Sequence, residues 1–287
     1  MKLNFLKIKE YYQKEGFYVF IIHSLNYFFF KFFKSFLHIN TPLHKYKIYL
    51  VKKIKKISNN RIMYGLYKNV YFNFDSGTHW NYFDISSKLI GFYEEQIQEK
   101  IIEIKNKYKL INLINIGAAE GYHVVSLIKN KYFNKGYAFE IDQKGRDTIK
   151  KNIIKNNIID RIKIFGEGDY DSIKNNVDIR ELKKTLFLID IEKGEFKFFN
   201  KKNINFFNKS YFIIEYHGNI EFNKLNNIEK EFFNLIKNNF KLEVIRNSGR
   251  NPFKLSLLKE FSDDERWLMM SETRPSEMIW LALTPKN

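Results

Sequence analysis

From residue 108 onward the chain alternates short apolar runs with stretches of helical period, and this restricts the fold more than any other feature. The runs are 110–116, 136–141, 161–165, 185–191, 210–216, 241–246 and 277–284. Helical candidates occupy 120–130, 145–157, 195–208 and 224–239. Near-continuous apolar strands separated by helices are buried on both faces, so the expected fold is α/β, a seven-stranded, mostly parallel sheet with helices above and below. No clear helix separates the last two runs, so one of those strands is expected to run antiparallel. Ahead of the sheet, 86–107 has helical period, with Ile97, Ile101, Ile102 and Ile104 on one side.

The first sixty residues differ in character. Twelve Lys there face only Glu10 and Glu15, so they hold +10 of the net charge of +17. Residues 17–37 are long enough for a membrane span, but His23, Ser24, Asn26, Lys31, Lys34 and Ser35 interrupt them on one half of a helix. The other half is aromatic and aliphatic, and the basic run Lys45 to Lys56 follows. Such a helix either covers a domain with its aromatic face or lies on an anionic membrane surface, here through 17–56. The expected division is a basic helical extension over 1–60, a connecting segment and cap helix over 61–107, and the main domain over 108–287. Asn59–Asn60 and Asp75-Ser76-Gly77-Thr78 are the turn signals between them. The chain has no cysteine, which excludes a disulfide framework, a thiolate nucleophile and a Cys-based zinc site. A cytoplasmic enzyme, peripheral to the inner face of the membrane, is the matching expectation.

Residues 112–121, NLINIGAAEG, run a strand into Gly117 and open a helix at Gly121. A glycine there permits a sharp turn and close approach of a ligand, and the helix N-terminus favours an anionic group. The spacing is neither the dinucleotide fingerprint nor a P-loop. The second strand ends in Phe139-Glu140-Ile141-Asp142, and an acid at that place can accept from both hydroxyls of a ribose. The third ends in Gly166-Glu167-Gly168-Asp169, where an acid can reach an adenine amine. The competing readings are a plain tight turn for the glycines, a solvated acid for Glu140 and a helix cap for Asp169.

With these residues the chain resembles class I S-adenosylmethionine-dependent methyltransferases, and within them the FkbM-type family. The likeness is carried by INIGAAEGYHVVSL (114–127), YAFEIDQKGRDTIKKNIIKN (137–156), FLIDIEKGEF (187–196) and FIIEYHG (212–218). In place of the family's Asp-hydrophobic-Glu-Gly-x-Glu, the chain has Asp190-Ile191-Glu192-Lys193-Gly194-Glu195, with Lys193 inserted before the glycine. The resemblance implies a Rossmann-like sheet with S-adenosylmethionine over the strand ends and methyl transfer to a hydroxyl of a sugar or other small acceptor. It places Gly117 and Gly121 near the methionine portion and Glu140 at the ribose, with Asn115, Ala118, Glu120, Asp142 and Gly168 also among the cofactor-binding residues. Asp169 faces adenine, and Asp190 sits nearest the methyl group.

Methyl transfer to oxygen needs alignment and a base within reach of the acceptor hydroxyl. His217, at the end of the fifth strand, titrates near neutrality and is the first candidate, with Asp190 and Glu215 beside it. Asp190 and Glu192 alternate along a strand, which would aim them at opposite faces. The reading assigns no resident metal, although Asp190, Glu215 and His217 have the donor types of a Mg²⁺ or Mn²⁺ site. His123 is expected to pack near the cofactor. Arg266 and Arg274, two of eight arginines, are expected to form internal pairs with Glu265 or Glu272. The stretch Gly77-Thr78-His79-Trp80 packs as a surface aromatic or closes over the acceptor. Two other functions compete: an inactive binding module attached to a membrane-associated glycan or lipid assembly system, and a nucleic-acid methyltransferase. The location of the excess charge, outside the main domain, argues against the second.

Overall fold

The structure is a computed structural model that describes residues 18, 21–22, 24–29, 42–74, 82–272, 274 and 277–286. All seven apolar runs are strands: β1 (Asn112–Ile116), β2 (Lys135–Phe139), β3 (Ile162–Phe165), β4 (Thr185–Ile189), β5 (Tyr211–Tyr216), β6 (Phe240–Arg246) and β7 (Ile279–Pro285). They form one sheet in the order β3-β2-β1-β4-β5-β7-β6. The first five pair in parallel, and β7 runs antiparallel to both β5 and β6. The expected antiparallel partner is therefore β7. Every residue of β1 and β4 is buried, as two-sided coverage requires. Edge strand β6 instead exposes Lys241, Glu243 and Arg246, charges that discourage edge-to-edge pairing.

Ten helices complete the described residues: α1 (Pro42–Ser58), α2 (Ile85–Ile90), α3 (Glu95–Tyr108), α4 (Tyr122–Lys129), α5 (Gln143–Lys155), α6 (Tyr170–Asn176), α7 (Glu195–Phe198), α8 (Ile204–Phe207), α9 (Asn227–Asn239) and α10 (Asp263–Met270). Alternation along β1 sorts the two cores. Leu113 packs with Ile101 of α3, Val124 of α4 and Ile149 of α5, while Ile114 and Ile116 pack with Phe198, Phe207 and Phe232 on the opposite face. A third cluster joins Leu50, Val51 and Ile54 to Leu89, Ile90, Met269 and Met270.

Three helix boundaries differ from the sequence reading. The helix expected over 86–107 is broken at Gly91, whose φ is +101° and whose added Cβ would lie 2.1 Å from the Tyr64 carbonyl oxygen. The helix expected over 195–208 is two four-residue helices. Between them the Asn200 N–H donates to Asn203 Oδ1 (2.8 Å) and the Asn203 N–H to Asn200 Oδ1 (3.1 Å), so side chains replace the helical ladder. Between β6 and β7 there is a helix after all, α10, started by a capping box of Ser262 and Glu265.

The chain divides into two compact units, 1–49 and 50–287. In the first, residues 24–29 are helical and expose Phe28 and Phe29. The rest of the expected amphipathic helix, and the whole of Gly77-Thr78-His79-Trp80, lie outside the described residues. Among the described residues no helix is long and apolar enough to cross a membrane.

Candidate active site

Strand order reverses between β1 and β4, and a crevice lies at the carboxyl ends of these two strands, beside their closely packed loops. The loop after β1 is tightly fixed. Gly117 and Ala118 both donate N–H to the Phe139 carbonyl, at 2.9 and 3.0 Å. Gly117 has φ +74°, and a Cβ on it would lie 1.7 Å from the Asp190 carbonyl oxygen. Only glycine lets the loops after β1 and β4 come this close. Gly121 has φ +85° and caps α4.

Glu140 sits beside this loop, on the same rim as Gly117. It is 3 % exposed, and its carboxylate accepts the Ala119 N–H (2.7 Å) and the Asp142 N–H (2.8 Å). Burial raises its pKa against the pull of those two donors. The carboxylate thus ties β2 to the glycine loop. Asp142 caps α5 through the Lys144 N–H (3.1 Å), and exposed Asp169 caps α6 through the Ser172 N–H (2.8 Å). The helix-cap reading of Asp169 is thus realised in the structure. A Cβ on Gly168 would lie 2.6 Å from Ile116 Cγ2, so the loop after β3 closes onto the end of β1.

An inner cavity of about 70 Å³ lies within the crevice. Asn115, Gly117, Ala118, Glu120, His123 and Asp190 line it, together with three groups the sequence did not single out: Asp84, Lys88 and Glu94. Lys88 is buried, pairs with Glu120 Oε1 (2.6 Å) and Asp84 Oδ2 (3.3 Å), and lies 4.6 Å from the centre of the Tyr93 ring. Burial pushes the Asp84 carboxyl up to about 6, while the two acids around Lys88 outweigh its burial and raise its pKa. Glu120 Oε2 is buried without a partner. The one signal for Lys88 in the sequence was a lone charge in ISSKLI, a segment now buried throughout.

The ends of β4 and β5 bring the titratable groups together. His217 Nε2 lies 3.5 Å from Asp190 Oδ1 and 3.7 Å from Glu192 Oε2, and Nδ1 lies 3.3 Å from Glu195 Oε1. Asp190 and Glu192 therefore share a face, against the alternation expected for them. Strand β4 stops at Ile189, and left-handed backbone at Glu192 (φ +46°) and Lys193 (φ +75°) turns the chain back. Asp190, Glu192 and His217 have ligand atoms within 4.8 Å of one another. Glu215, grouped with Asp190 and His217 from sequence, stays beside both, with Oε1 4.0 Å from His217 Nε2 and a side-chain hydrogen bond to Asp190, and the same oxygen also accepts from Arg274.

Arg274 is the hub of a buried charge cluster. It donates to Glu272 (2.7 Å), Glu215 (2.8 Å) and Glu94. Arg250 also pairs with Glu272. His123 is held between Glu94 (3.0 Å) and the Tyr67 hydroxyl (2.8 Å). The expected Arg274–Glu272 pair is present. Arg266 instead donates to the carbonyls of Leu258 (2.7 Å) and Lys259 (2.8 Å), because α10 turns it along the preceding segment rather than toward Glu265. Three carboxylates face two guanidiniums in this cluster, and Asp190 adds a fourth nearby. Burial, with Asp190 adjacent, pushes Glu215 up to about 10, and burial likewise raises Asp190.

An outer cleft of about 700 Å³ opens on the far side of His217. Ile191, Glu192, Lys193, Lys197 and Phe196 line one wall, and Asn219, Asn226 and Ile228 the other. Asp190 lines the inner cavity and His217 the outer cleft, and the two side chains lie 3.5 Å apart between these spaces.

The chain matches no protein-family model and no curated protein. Among solved structures it is similar to an O-methyltransferase from Bacillus cereus in complex with SAH, at 12 % identity and a TM-score of 0.45, over 88 % of this chain and 96 % of that one. It is also similar to precorrin-6y C5,15-methyltransferase from Geobacter metallireducens, at 8 % identity and TM-score 0.42, over 69 % and 92 %. A third is TrmK of M. capricolum with S-adenosyl-homocysteine, at 13 % identity and TM-score 0.40, over 64 % and 68 %. Identities this low leave the chemistry to be argued from the site itself.

Proposed function

We propose that this chain is an S-adenosylmethionine-dependent methyltransferase of the FkbM type that methylates a hydroxyl of a sugar or another small acceptor. The observation that carries this reading is the Asp190–His217 contact, which joins a side chain lining one space to a side chain lining another of different chemistry. The inner one has room for about five water-sized atoms, the size of an amino-acid head group. Its chemistry suits a zwitterion: the unpartnered Glu120 Oε2 can accept from an α-ammonium, while buried Lys88 and the amides opening α4 suit an α-carboxylate. Glu140 fixes the glycine loop and keeps lone pairs for ribose hydroxyls.

When bound, S-adenosylmethionine supplies an electrophilic methyl group that the acceptor oxygen takes as the carbon–sulfur bond breaks. The outer cleft holds the acceptor with its hydroxyl toward His217. Neutral His217 takes the hydroxyl proton, and Asp190, Glu192 and Glu195 stabilise the imidazolium that results. Asp190, which lines the inner cavity beside His217, orients the imidazole toward the acceptor.

Calorimetric titration of the full chain with S-adenosylhomocysteine tests the reading. Binding is expected, and Glu140→Ala should weaken it by about 1–3 kcal/mol, the scale of lost hydrogen bonds to a charged acceptor. Absence of heat with both S-adenosylmethionine and its demethylated product would remove the cofactor, and with it the activity.

A further inference from the structure

We propose that the acceptor is a saccharide longer than one ring that carries an anionic group, a carboxylate or a phosphate, and that Lys193 and Lys197 receive that group. The inference rests on the methyltransferase reading and names its substrate class. The outer cleft does not end at α7. A second cleft, also about 700 Å³, shares Phe196, Lys197 and Ile228 with it and runs on between α7 and α9. Lys201, Lys230, Asn234 and Asn238 line this continuation, with Glu231 as its acid. A single sugar would occupy a small part of such a trough.

The charge along the trough is not compensated. Among the described residues Lys193, Lys197, Lys201 and Lys230 have no carboxylate within ion-pair distance, and all four are exposed. The acid nearest the inner end, Glu229, is buried, and both its oxygens accept main-chain N–H groups, from Asn219 (2.7 Å) and Asn226 (2.7 Å). Glu192 is directed at His217. An anionic group on a ligand would meet these exposed ammonium groups along the trough. Phe196 and Ile228 form an apolar floor for ring faces, and the amides of Asn234 and Asn238 suit hydroxyls.

Lys193 adds an independent observation. It holds φ +75° directly after Glu192 at φ +46°, in a region where glycine would rest without strain. Here the turn sets Lys193 in the lining beside His217, at the end where transfer occurs.

The test uses the full chain saturated with S-adenosylhomocysteine and titrated with a galacturonate trimer, glucose 6-phosphate and neutral maltotriose. One of the anionic probes should bind at least about tenfold tighter than maltotriose, and which one does so separates carboxylate from phosphate. Lys193→Gly and Lys197→Met should each weaken that binding about tenfold without changing the affinity for S-adenosylhomocysteine. Lys193→Gly relieves backbone strain, so its melting temperature should match or exceed that of the parent, which separates lost binding from lost folding. Equal binding of maltotriose, no binding of either anionic probe, or indifference to both substitutions overturns the proposal while leaving the methyltransferase reading intact. Failure of S-adenosylhomocysteine to bind removes that reading first, and the acceptor class with it.

Discussion

Glu195 is fully buried, yet its Oε2 has no hydrogen-bond partner, and its Oε1 accepts the main-chain N–H of His217 at 2.8 Å and lies 3.3 Å from the ring Nδ1. Burial by itself pulls the His217 pKa down, but the contact with Glu195 and the charges of Asp190 and Glu192 outweigh it, so the pKa rises above 6.5. A raised histidine pKa stabilises the fold below the unfolded value, and that contribution is lost as pH rises through the folded value. The free base needed for catalysis appears only above the same folded pKa. Turnover should therefore rise with pH along a limb centred above 6.5. Glu195→Gln should move that limb, and the imidazole titration seen by NMR, toward lower pH; an unchanged titration would show that Glu195 does not set it. Replacing His217 by Ala should cut turnover by roughly 10²–10⁴ and leave S-adenosylhomocysteine affinity intact. A loss under about tenfold would exclude His217 as the base. Sequence reading reached His217 from residue type and place at a strand end. It passed over Glu195, because its burial depends on the turn at Glu192 and Lys193, which strand periodicity does not reveal.

Among the elements, the loops after β1 and β4 depend on one another. With Gly117→Ala, the new Cβ would meet the Asp190 carbonyl oxygen at 1.7 Å and the backbone would be held at φ +74°. Neither loop can absorb that overlap without moving Asp190 away from His217. We expect a stability loss on the order of 2–4 kcal/mol by chemical denaturation, together with loss of S-adenosylhomocysteine binding. A variant that keeps both would show that the two loops are not rigidly joined. This crossover was legible in the sequence because a glycine between an apolar strand and a helix is a local demand on the main chain. The interruption at Gly91 was not, since it comes from the Tyr64 carbonyl, which is distant in sequence. Nor was the split between α7 and α8, where Asn200 and Asn203 trade backbone for side-chain bonds inside an otherwise helical period.

Across the whole molecule, the Arg274 cluster joins residues from before the sheet, from β5 and from the segment ahead of β7. Arg274→Met would leave Glu94, Glu215 and Glu272 buried without this guanidinium, at a cost of about 3–5 kcal/mol. Burial would raise Glu94, but His123 and Arg274 more than offset it and hold its carboxyl at about 2. The stability Glu94 contributes is present above its unfolded value of 4.5 and fades as pH falls from there toward about 2. The difference between parent and variant in thermal unfolding should therefore shrink over that window. A difference constant with pH would show that Arg274 acts through packing alone.

What the sequence determined by itself was the kind of sheet, the glycine crossover and the presence of acids and a histidine at successive strand ends. Each is written in a short window, as a period of two or 3.6 or as a main-chain conformation that few residues adopt. The tertiary structure alone decided that Glu192 joins Asp190 at His217, that Arg274 joins Glu215 there, and that Lys88 and Glu94 line the inner cavity. Those outcomes depend on which charges are driven together when distant segments exclude water between them, and a buried charge takes the partner that packing brings, whatever its distance along the chain.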